Sequence, residues 1–153
     1  MNKLLTLVNE LESFIPSCDI ENSAISNSTI GWQIEHSLLT LNGIINNLKI
    51  PNPKTFKKKY GIGKFLIFTF GHIPRGKAKA PEVVKPKNFD KNTLAKHTQI
   101  AKENIKTLDT IPAVHFFEHP YFGHLRVEET KRFLYIHTLH HIKIMRDIIK
   151  STK

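Results

Sequence analysis

The sequence predicts an all-α protein: a four-helix bundle with a long crossover between its second and third helices. Three observations lead there. Four segments repeat apolar residues at spacings of three and four, the period of a helix with one buried face. Prolines and glycines punctuate the stretches between them. The second and third segments are separated by roughly 40 residues, Lys49 to Phe89, a connection long enough that these two helices need not be antiparallel neighbours.

The first helix spans about Asn2 to Phe14, with Leu4, Leu7, Val8 and Leu11 on one side and Pro16 just beyond its end. The second spans about Ile30 to Leu48 and is capped by Ser28 or Thr29; Ile34, Leu38, Leu41, Ile45 and Leu48 make its stripe. Prolines 51 and 53 stop it. The third starts near Asp90 or Asn92 and reaches Leu108, with a stripe of Leu94, Thr98, Ala101, Ile105 and Leu108. The fourth runs from about Val127 to Ile149, with Glu128 and Glu129 in its first turn and Lys150 after its last, both favourable to the helix dipole. Between the last two helices, "TIPAVHFFEHPYFGHL" is apolar and aromatic but broken by Pro112, Pro120 and Gly123, and reads as a packed, ordered connection. In the crossover, "KFLIFTFG" reads as a strand or packed extended segment, and "IPRGKAKAPEVVKPK" as mostly irregular. No internal repeat occurs at a solenoid period.

Residues 1–153 are the length of one domain, and a chain this long can bury a single core. No apolar run approaches the roughly 18 residues of a membrane span, so no membrane partner is expected, and the leucines of "MNKLLTLVNELESFIP" are interrupted by Asn9, Glu10 and Glu12, unlike a secretory signal. The cytoplasm is the expected compartment, and the lone Cys18 agrees with it. The net charge of +10 is concentrated: Lys54 to Lys87 holds ten of the 23 basic residues and one of the 13 acidic ones, so this crossover, about residues 49–89, carries +9. Such a segment attracts phosphates or serves as a solvated connection. Nucleic acid is an unlikely partner, because no recognition helix or aromatic-basic sheet motif accompanies the charge. A glycine loop for phosphate is not supplied by "YGIGK" either, which is too short.

The chemistry lies in the nine histidines, three of which fall within "HTLHH". In the fourth helix Leu134, His137, His141, Ile144 and Ile148 step by three and four, so His137 and His141 occupy seam positions that leucine would otherwise fill. Their rings lie one turn apart on one face, within reach of a single metal ion. A single core histidine is usually just a satisfied polar group. Two in one apolar seam each need partners for both nitrogens. His140 lies to one side and flanks the pair. A third ligand must come from elsewhere, and His36, His97 and His119 are the candidates. His36 falls on the strip of Trp32, Leu39 and Gly43, roughly opposite the second helix's main stripe. Periodicity does not choose among the three.

The segments "GWQIEHSLLTLNGI" and "HPYFGHLRVEETKRFLYIHTLHH" resemble a branch of the DinB-like proteins. In that branch a glycine-tryptophan and a histidine open the second helix, and a histidine-proline, aromatic, phenylalanine-glycine turn leads into a helix ending in a histidine, two residues and a histidine pair. The resemblance implies a DinB-like bundle with a three-histidine centre for a divalent metal, zinc, nickel or iron, held by His36, His137 and His141. It implies a metal-dependent enzyme of thiol-transfer or hydrolytic type, acting on a small thiol or an anionic small molecule. Glu35, His140 and His119 are then candidate proton-transfer or supporting groups, although His119 reads first as the residue that holds the turn before the last helix. The chain departs from the pattern at Thr130 (usually tryptophan), at Arg126 (usually a serine or threonine cap) and in "IKIM" after the histidine pair, where glutamine and phenylalanine are usual. Cys18 lies outside the motifs. The competing reading is a non-catalytic metal-binding or interaction bundle, with a homodimer among its candidate assemblies.

Overall fold

The computed structural model describes residues 3–76 and 79–152. The chain is mostly helical: α1 (Lys3–Ser13), α2 (Ile30–Lys49), α3 (Ile62–Phe70), α4 (Lys91–Thr107) and α5 (Val127–Ser151), with one antiparallel hairpin of β1 (Phe116–His119) and β2 (Gly123–Arg126). Short 3-10 turns stand at Ile15–Ser17, Glu82–Val84 and Leu108–Thr110. Asn2, where the first helix was expected to begin, lies outside the described residues.

Local signals account for the helix ends. Thr29 caps α2, its Oγ1 accepting from Trp32 N at 3.1 Å, and Asp90 Oδ1 caps α4 by accepting from Thr93 N at 2.7 Å. Arg126 has no acceptor to offer α5; instead Glu129 Oε2 accepts from the Arg126 backbone N–H at 3.2 Å, one half of a capping box. α1 and α2 each lie against both α4 and α5. Their facing stripes, from Leu4, Val8 and Leu11 through Ile34, Leu38 and Ile45 to Leu94, Ile105, Leu134, Ile142 and Ile148, form one contiguous apolar core.

Two expectations are corrected. The connection before α5 is not merely packed but holds the hairpin, so the chain is not purely helical. Gly123 takes φ +68°, the left-handed conformation that lets the strand turn back. His119 Nδ1 accepts from the backbone N–H groups of Tyr121 and Phe122, both at 3.1 Å, and so ties the turn from inside. In the crossover, "KFLIFTF" is a helix rather than a strand. Gly61 enters it in extended conformation, and Gly71 leaves it at φ +62° with its N–H bonded to Ile67 O at 2.9 Å. Tertiary contacts favour the helix over local β propensity: Lys64 pairs with Glu129 of α5 at 3.0 Å, and Phe68 meets Phe122 edge-on at 5.9 Å. The described part of the segment that follows is mostly irregular, as expected, apart from the turn at Glu82–Val84.

Candidate metal centre

His36 of α2 and His137 and His141 of α5 converge. Ring centroids are 4.7 Å apart for His36 and His141, 5.2 Å for His36 and His137, and 4.6 Å for His137 and His141. One ring nitrogen from each lies within 4.8 Å of the other two. His36 and His141 are buried, while His137 is half-buried.

The puzzle of His36, on the wrong strip of its helix, has a physical answer: α2 is buried on both sides over its first turns. Gln33, Ile34, Glu35, His36, Ser37 and Leu38 are all buried. The second strip is covered by the crossover, whose turn at Glu82–Val84 returns across α2. Gly31 permits the close approach. A Cβ there would stand 2.5 Å from the Phe89 ring and 2.9 Å from the carbonyl oxygen of Cys18, to which the Gly31 N–H donates at 2.8 Å. Trp32 stacks on the His36 ring at 5.0 Å and fixes its plane.

The neighbours also fix the tautomers. His36 Nδ1 lies 2.8 Å from the Val84 carbonyl oxygen; a carbonyl only accepts, so Nδ1 carries the hydrogen and Nε2 keeps its lone pair. Gln33 Nε2 donates to Ser26 Oγ at 3.1 Å, which turns Gln33 Oε1 toward His141 Nδ1 at 2.6 Å. His141 therefore donates through Nδ1 and presents Nε2 as a lone pair. This is how outer hydrogen bonds orient histidines that ligate metals.

His141 Nε2 faces His137 Nε2 at 3.3 Å. Two ligands of a tetrahedral ion with metal–nitrogen distances near 2.0–2.1 Å are separated by about 3.3–3.4 Å. The donor set thus fits a small divalent ion. Burial holds all three imidazoles below the ordinary histidine range. For His137 the positive forms of His36, His140 and His119 add to that effect, and for His141 those of His137, His36 and His140. Near neutral pH the three rings are neutral and their lone pairs free for a cation.

The other candidates sit outside this cluster. His97 Nδ1 donates to both carboxylate oxygens of Glu35, at 2.8 and 3.0 Å, joining α4 to α2. His119 stacks on Phe122 at 4.4 Å and meets Phe133 edge-on at 4.6 Å, and Phe133 in turn lies 5.5 Å from His137. His140 stands T-shaped to His141 at 5.0 Å; burial first, then the charges of Arg75 and His72, push it down to about 4, against a hydrogen bond to the Ile73 backbone. The crossover therefore reaches the centre from two sides, at Val84 and at Ile73. Sequence reasoning missed Gln33 and Val84. Gln33 was within reach, being one turn before His36 on a helix already placed. A backbone carbonyl 48 residues away leaves no signal.

Comparison with known proteins finds no matching family model, no matching curated protein and no matching solved structure.

Proposed function

We propose that the chain is a metal-dependent enzyme on a DinB-like four-helix bundle, with His36, His137 and His141 holding one divalent ion, and that its reaction is hydrolysis or the transfer of a small thiol. The observation that carries the reading is the convergence of three neutral imidazole nitrogens within 4.8 Å, with no carboxylate in the group. Bound there, a divalent ion keeps its full charge and supplies Lewis acidity, lowering the pKa of a coordinated water or thiol toward neutrality.

The chain's own residues divide the remaining work. Val84 O and Gln33 Oε1 hold two of the rings in the ligating tautomer. Trp32 and Phe133 wall the centre with apolar surface. His137, the half-buried member, marks its accessible side. The basic crossover supplies a positive field that draws anionic substrates. Glu35 is occupied by His97, which leaves His140 and His119 as the proton-handling candidates nearest the cluster.

The test is a screen of thiol transfer to electrophiles and of ester and amide hydrolysis, run on chelator-treated protein and on the same protein reloaded with zinc, nickel or iron. Activity that returns with metal in the wild type and stays absent in His137→Ala is the expected result. Activity indifferent to metal would refute the reading. Tight binding with no turnover would favour a non-catalytic metal protein instead.

A further inference from the structure

Helix α3 is apolar on both faces, and only one of them is covered. At 100° per residue, Ile62, Phe65, Leu66, Thr69 and Phe70 fall within an arc of about 140°, and this arc faces solvent: Ile62 is 80% exposed, Phe65 66%, Leu66 45% and Phe70 73%. Tyr60, just before the helix, is 80% exposed. The inward side is already filled by Ile67, Phe68 and Lys64, the last only 12% exposed and paired to Glu129 of α5. A helix that serves only its own fold presents polar residues on its outer face. A contiguous apolar patch of this kind marks an interaction surface.

Beside the patch stands a basic shoulder. Lys57, Lys58 and Lys59 are exposed, and Lys58 Nζ lies 5.5 Å over the Tyr60 ring. A cavity of about 390 Å³ opens between shoulder and helix; Lys58, Lys59, Lys64 and Arg132 outnumber Glu129 in its lining. We infer that α3 and this shoulder dock the protein on an anionic lipid surface, the apolar arc entering the head-group boundary and the lysines meeting lipid phosphates. Among the described residues no helix is long and apolar enough to cross a membrane; α3 would lie along one.

The charge selects this occupant. A symmetric dimer through α3 would set the patch against itself and bring lysine against lysine, since Glu129 beside it is already paired with Lys64 and Glu82, the crossover's one acid, with Lys85. Single-stranded nucleic acid would use the lysines and the aromatic rings, but Ile62 and Leu66 between them give bases nothing to stack on. A lipid interface uses the aliphatic, aromatic and basic groups together.

The test is co-sedimentation of the full chain with vesicles of phosphatidylcholine alone and of equal parts phosphatidylcholine and phosphatidylserine. Circular dichroism and metal content confirm that each variant is folded. Wild type is expected to bind the phosphatidylserine vesicles and to release as salt rises. Phe65→Ser with Phe70→Ser weakens that binding by roughly tenfold or more. Lys57→Gln, Lys58→Gln and Lys59→Gln together abolish the preference for phosphatidylserine, which keeps the inference testable if the serine variant misfolds. No binding to either vesicle, or equal binding by both variants, overturns it. So does a wild-type dimer that the serine variant splits, or capture of an oligonucleotide in place of vesicles.

Discussion

The hydrogen bonds and burial of His119 make folding stability depend on pH. Its Nδ1 accepts two backbone N–H groups of the hairpin turn, so a proton on that nitrogen removes both bonds at once. Burial, assisted by the charge of Lys64, pushes the group from 6.5 down to about 4. The sign follows from linkage. Below pH 6.5 the unfolded chain takes up a proton that the folded chain refuses, so stability present above that pH is lost as the pH falls toward 4. The interval corresponds to about 3 kcal/mol, and the residue is only 9% exposed, so solvent screens little of it. The perturbation is His119→Asn, whose side-chain oxygen can accept the turn's N–H groups and does not titrate. Urea unfolding of chelator-treated protein from pH 7.5 to 4 should show wild type losing about 3 kcal/mol more than the variant over this range. The other buried histidines are common to both proteins and cancel in the difference, apart from the minor coupling of His137 to His119. Parallel pH profiles would refute the reasoning and leave His119 without a titrating role in the fold.

Three further outcomes follow from the same geometry. Gln33→Leu removes the acceptor that orients His141 and should weaken metal binding about 10- to 100-fold, measured by competition with a chromophoric chelator. Gly31→Ala drives a methyl group into the Phe89 ring and the Cys18 carbonyl; a loss of about 1–3 kcal/mol is expected in urea unfolding. Stripping the metal should lower the melting temperature only modestly, because Val84 and Gln33 hold the rings without it and the apolar core is contiguous from Leu4 to Ile148 without any contribution from an ion; collapse of the fold on chelation, read by circular dichroism, would instead identify a structural site.

Much of this molecule was legible in the sequence because its signals are local. Four helices declared themselves through three-four spacing, and their ends through Thr29, Asp90 and the prolines. The pairing of His137 with His141 is likewise a property of one helix. What stayed hidden depends on distant chain. Helix periodicity argued against His36, since the strip it occupies is buried only when the crossover folds back over α2. The helix α3 was masked by its β-branched and aromatic residues, and its form is set by contacts to Glu129, Arg132 and Phe122 far along the chain. The hairpin lay in a stretch read as a packed, ordered connection broken by prolines, whereas the turn is fixed by a histidine side chain acting on backbone N–H groups, a role that residue type alone does not announce.

The most direct test of the centre is metal content by elemental analysis of tag-free protein, purified without chelator or reconstituted with zinc, nickel or iron, alongside single histidine variants. About one divalent ion per chain is expected in wild type, lost in His36→Ala, His137→Ala and His141→Ala and retained in His97→Ala and His119→Asn. Protein that takes up none of these metals, or that keeps its ion without His36, would contradict the three-histidine centre and return these residues to the core.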